Sequence, residues 1–129
     1  MSDGTPLSEE FTVADLRRIR SEVQAAGEAA GLHEHRVTEL VAVVNELAVN
    51  AIRYAGGCGR VTMTSENGGL SVEISDRGPG LPETATGLER PPPDVPGGRG
   101  LWLARQMFPD LKLDSSPHGL SVTVYATRA

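Results

Sequence analysis

Leu16, Ile19, Val23, Ala26 and Ala30 recur at intervals of three and four residues. That spacing lines one face of an α-helix and predicts a helix over 12–31. Thr12 and Asp15 resemble a capping box, with Asp in place of the usual Glu or Gln, and Gly31 offers a C-cap. A second stripe, Val37, Leu40, Val44, Ala48, Ala51 and Ala55, predicts a helix over about 35–55. Glu39, Glu46, Asn50 and Arg53 gather on its opposite side. Gly56, Gly57 and Gly59 follow and end it. The period then falls to two. Residues 60–66 (RVTMTSE) and 70–76 (LSVEISD) read as strands joined by Asn67-Gly68-Gly69, a strong hairpin signal because Asn and Gly tolerate positive φ. Leu70, Val72, Ile74 and Asp76 share one strand face, so a carboxylate at the strand's end is aimed the way the apolar side chains are.

Residues 77–99 break every pattern. They hold prolines 79, 82, 91, 92, 93 and 96 and glycines 78, 80, 87, 97 and 98. Pro91-Pro92-Pro93 fits neither a helix interior nor a central strand, so this is a long loop. Loops of that length inside a domain are usually functional or disordered. A short helix over 101–108 stops at Pro109, and 111–116 with 120–127 form a second hairpin around Pro117-His118-Gly119. Residues 1–11 read as a flexible leader and 12–129 as one domain. Helix, helix, hairpin, loop, helix, hairpin gives an α+β two-layer α/β sandwich, with a mixed, mostly antiparallel sheet and the helices on one face.

Composition narrows the function. The 129 residues are 39% hydrophobic and contain no apolar run near the roughly 20 residues of a membrane helix. The polar start MSDGTPLSEEF does not read as a signal peptide. One cysteine, Cys58, excludes an internal disulfide framework and fits a reducing cytoplasm. A net charge of -5 disfavours direct nucleic-acid binding. The P-loop, dinucleotide, zinc-protease and nucleophile-elbow motifs are absent, and His33, His35 and His118 form no metal-ligand pattern.

Three short segments carry candidate chemistry. Glu46 and Asn50 share one helix face at i, i+4. A carboxylate there is a candidate general base, and the Asn50 carbonyl a candidate ligand for Mg²⁺, a hard cation that prefers oxygen. Asp76-Arg77-Gly78-Pro79-Gly80 puts an inward carboxylate beside two glycines; it suits the exocyclic amine of a flat ring such as adenine. Gly97-Gly98-Arg99-Gly100-Leu101 opens a helix, where free N–H groups and the positive end of the helix dipole favour phosphate. Arg99 adds a charge-assisted donor. Singly, these are also a solvated helix face, a tight turn and a loose helix start.

Taken in order, N45-E46-L47-A48-V49-N50-A51-I52-R53-Y54, D76-R77-G78-P79-G80 and G98-R99-G100-L101 resemble the N box, the DxGxG box and the second glycine box of the GHKL (Bergerat-fold) ATPase superfamily. The resemblance covers roughly 12–127. The small chain looks most like the stand-alone anti-sigma factors and serine protein kinases of bacterial partner-switching systems. It implies ATP and Mg²⁺ as cofactors, with Glu46 activating the attacking oxygen and Asn50 holding the metal. It also implies Arg53 near phosphate, Asp76 on the adenine amine, Gly78 and Gly80 lining the ring, and Gly98, Arg99, Gly100 and Leu101 at the phosphates beside an ATP lid over about 81–99. The family often has Gly-Thr leading into its last strand; here Gly119 precedes Leu120 and Ser121, so a hydroxyl near adenine falls to Ser121. The implied partners are a sigma factor and a small antagonist protein, and a homodimer is compatible. Two other readings fit the same residues: a nucleotide-dependent binding module without catalysis, and an isolated histidine-kinase ATP-binding domain.

Overall fold

Residues 7–66, 68–80 and 99–128 are described in the computed structural model of the chain. The expected lid, apart from Arg99, lies outside them. Strands β1 (Leu7–Thr12), β2 (Cys58–Glu66), β3 (Gly69–Asp76), β4 (Lys112–Ser116) and β5 (Gly119–Thr127) form one sheet in the order β1-β2-β3-β5-β4. Every pairing among the described residues is antiparallel, in line with the mostly antiparallel sheet expected, with no parallel pair among them. Helices α1 (Leu16–Ala29), α2 (Glu34–Tyr54) and α3 (Arg99–Met107) complete the α+β architecture.

Alternation within the strands decides which face is covered. Val61, Met63, Leu70, Val72, Ile74, Val122, Val124 and Ala126 are buried against α2 and its neighbours. The intervening residues, including Thr62, Ser71, Glu73, Ser75, Ser121 and Thr123, stand on the opposite face by the two-residue period. The core-facing stripe of α2 is as predicted from Val37 to Ala51, widened by Val43 and Leu47, whereas Ala55 is half-buried and caps the helix.

Residues 7–11, expected within a flexible leader, instead pair with β2 as an edge strand. Among them only Phe11 is buried, so no apolar alternation marks the strand. Its side-chain links are local: Ser8 and Thr62 hydroxyls lie 3.0 Å apart and Glu10 pairs with Arg60 at 3.3 Å. The Phe11 ring lies over Gly59, where a Cβ would stand 2.7 Å from the ring. The capping box forms, with the Thr12 amide donating to Asp15 Oδ2 at 2.8 Å. It caps a short 3-10 turn, Val13–Asp15, that leads into α1. That amide, then Arg18, holds the Asp15 carboxyl below its ordinary range.

Arg18 clips this edge to α1, donating to Glu9 at 2.6 Å and Glu22 at 2.9 Å. The contact with Glu22, then partial burial, raises the Glu9 carboxyl above its ordinary range. Phe11 is the one large apolar anchor of β1. Phe11→Ala should therefore cost about 3–5 kcal/mol, the usual range for emptying a buried phenyl site. Urea unfolding checks this; a midpoint close to wild type would show that β1 is not needed for the fold.

Candidate functional site

Burying one stripe of α2 forces its other residues outward. Glu46 and Arg53 are exposed and Asn50 is half-buried. Arg53 lies toward its neighbour Tyr54, with the guanidinium carbon 5.9 Å from the ring centroid. Asn50 is half-buried because α3 begins beside it. A Cβ on Gly100 would stand 2.6 Å from Asn50 Nδ2 and 3.5 Å from Glu46 Cβ. The helix start therefore touches the Glu46–Asn50 pair through bare backbone, and two segments separated by 50 residues become one surface. Leu101, the next residue, is buried and roots the helix in the core.

The Asp76 segment reaches the same end of α2. Asp76 follows Leu70, Val72 and Ile74 on the covered face of β3. Its Oδ1 accepts the Gly78 amide at 2.9 Å, a turn closed on the carboxylate itself. Among the described residues Oδ2 has no hydrogen-bond partner. Gly78 is pressed on the C-terminal end of α2: a Cβ there would lie 2.8 Å from Ala55 Cβ and 3.1 Å from Tyr54 O. Gly80 has φ 77°, a left-handed conformation that glycine adopts at no steric cost. A Cβ there would also run into Ser116 O, at the turn between β4 and β5.

Ser121 does not join this group. Asp76 is in register with Leu120, and Ser121 with Ser75. Ser121 therefore faces the far side of the sheet, where its hydroxyl donates to Glu73 Oε2 at 2.8 Å. The residue across from Asp76 is the partly buried Leu120. Gly119, read from the sequence as a turn residue and as the glycine before the last strand, lies against this segment: a Cβ on it would collide with Asp76 O. Gly98 and the Arg99 side chain lie outside the described residues.

The arrangement fits a flat base and a metal–phosphate group. Asp76 offers an acceptor beside bare glycine backbone, Asn50 a hard oxygen, and α3 the N-terminal end of a nine-residue helix. Mg²⁺ usually takes one or two protein oxygens and fills its remaining positions with phosphates and water, which suits a single Asn carbonyl.

The histidine kinase-like ATPase domain family matches residues 10–126, from within β1 to the end of β5. The chain belongs to that family. Its fold is shared with the crystal structure of the RsbU and RsbW domains of Rv1364c from Mycobacterium tuberculosis, at a TM-score of 0.68 and 15% identity. The similarity covers 96% of this chain and 32% of that one, so the chain spans about a third of the neighbour's length. No curated protein matches its sequence.

The Gly100–Asn50 contact can be probed by a small substitution, because a Cβ there meets a side-chain tip and not backbone. Gly100→Ala should leave the fold intact, since the atom in its way is the tip of a rotatable side chain. Turning Asn50 aside should weaken Mg-ATP binding about tenfold, or about 1.4 kcal/mol. Calorimetric titration against wild type decides it; equal affinities would separate Asn50 from the nucleotide.

Proposed function

We propose that this chain is an ATP-binding anti-sigma regulatory factor that phosphorylates a serine or threonine of a small antagonist protein. Membership of the ATPase family supports the nucleotide. The observation that carries the catalytic part is the exposed Glu46 carboxylate, one turn from Asn50 and beside the Gly100 helix start. A base in that place can meet a hydroxyl arriving from outside. Glu46 takes the proton as the hydroxyl oxygen attacks the γ-phosphorus; the new P–O bond forms, the bond to the bridging oxygen breaks, and ADP leaves. Phosphoryl transfer asks mainly for positioning and charge neutralisation. The Asn50 carbonyl would hold Mg²⁺, which when bound would supply neutralisation of phosphate charge. Asp76 takes the adenine amine, Gly78 and Gly80 line the ring, and Arg53, Arg99 and Gly98 serve the phosphate side. A sigma factor is the second protein partner. The protein acts in the cytoplasm and needs no contact with nucleic acid.

One observation favours the reading without catalysis. The hydroxyl expected beside Asp76 is replaced by Leu120, so the base side departs from the family pattern while Asp76 and the glycines remain, as binding alone would require.

At 100 times its dissociation constant, ATP should stabilise the protein by about 2.7 kcal/mol through mass action. A melting temperature unmoved by millimolar Mg-ATP would end the nucleotide assignment. Asp76→Asn should reduce that stabilisation. Glu46→Ala should bind ATP as wild type does while losing roughly 10²- to 10⁴-fold in phosphoryl transfer, the range for removing a general base. Transfer is followed with labelled ATP and a protein captured from the native cytoplasm. ATP-dependent capture with no label transferred by wild type would establish the binding module instead.

A further inference from the structure

α3 is held at both ends, and only its first residues belong to the site described above. At its other end Arg36, in the first turn of α2, reaches across. Arg36 Nη1 donates to the Met107 carbonyl at 2.8 Å, and its guanidinium carbon lies 4.0 Å from the centroid of the Phe108 ring. Glu39, one turn along α2, steadies the guanidinium at 3.3 Å. Met107 ends the helix, so its carbonyl is among the last that lack an intrahelical partner, and a cation is favoured there by the helix dipole. Phe108 is buried, which gives the stacked guanidinium a fixed platform.

We propose that Arg36 is a positioning residue that sets where Gly100 meets Asn50. The inference rests on the nucleotide reading above. Nine residues are too few for a helix to be stable by itself; about 12–15 are marginal in water. α3 therefore depends on its neighbours. Leu101, Ala104 and Phe108 bury one side of it, and the Arg36 contact adds a directional tie at its C-terminal end. Each residue of slip moves a helix by about 1.5 Å, more than the Gly100–Asn50 contact can absorb. The Arg36 fork is directional. It ties the end of α3 remote from the site to α2 and so bears on the register of the helix against Asn50. Arg36 and Asn50 lie on one flank of α2 with Val43 and Leu47, at steps of seven, four and three residues.

Arg36→Met keeps an apolar stem over Phe108 and removes the donors and the charge. In the nucleotide-free protein, exchange of the hydrogen-bonded amides of α3, Leu103 to Met107, should accelerate while β3 stays protected. The dissociation constant for Mg-ATP should rise about tenfold, which is about 1.4 kcal/mol. Ile19→Val, a core change in α1, is the control: it should lower the melting temperature without moving either readout. Arg36→Lys retains charge and one donor without the planar stack, so it should give an intermediate loss, and it serves if Arg36→Met does not fold. Wild-type exchange and wild-type affinity in both Arg36 variants would overturn the proposal, as would an equal loss of affinity in Ile19→Val. A wild-type protein that binds no ATP would instead overturn the nucleotide reading, and with it the purpose of the clamp, before any variant is compared.

Discussion

The position of every candidate group follows from what α2 must bury. Val37, Leu40, Val44, Ala48 and Ala51 are committed to the core. On one flank Asn45 accepts a hydrogen bond from Arg20 of α1 at 2.9 Å. On the other, Arg36 and Asn50 meet the two ends of α3. With three sides occupied, the remaining strip is where Glu46 and Arg53 stand exposed. A carboxylate there needs no special stabilisation, because burial has been arranged elsewhere on the helix. Ala48 and Ala51 help, since small side chains let the helix sit close to the sheet.

The second constraint is close approach of backbone to backbone. Gly78 lies on the end of α2, Gly80 on the β4–β5 turn, Gly119 on Asp76 and Gly100 on Asn50. These contacts join segments far apart in sequence, and a Cβ in any of them meets an atom already there. They also make the site depend on sheet register. Asp76 opposes Leu120 across β3 and β5, and a slip of one residue would turn every side chain of a strand to the other face.

Much of this was legible in the sequence. The helical stripes predict α1 and α2 and the outward set that includes Glu46 and Asn50. The Asn67-Gly68 step predicts the β2–β3 hairpin, and strand alternation predicts the direction of Asp76. β1 was not legible, because LSEEFT buries one residue and is held by pairing to β2, a long-range fact no local pattern contains. Ser121 is a different failure. Leu120, Val122, Val124 and Ala126 already mark the covered face, and Ser121 falls between them. Its expected place came from a likeness to other chains, against the alternation of this one. The clamp by Arg36 was invisible for the reason β1 was: its partner is 71 positions away.

The replacement of a hydroxyl by Leu120 bears on how the proposed pocket discriminates among bases. A serine or threonine hydroxyl both donates and accepts, so it tolerates either an amine or a carbonyl on the ring. A leucine does neither, and a carboxylate only accepts. With those two side chains opposite each other, selection falls to one carboxylate. It attracts the exocyclic amine of adenine and repels the carbonyl that guanine carries in its place. On the function proposed above, the departure from the family pattern narrows base recognition to Asp76 rather than abolishing it.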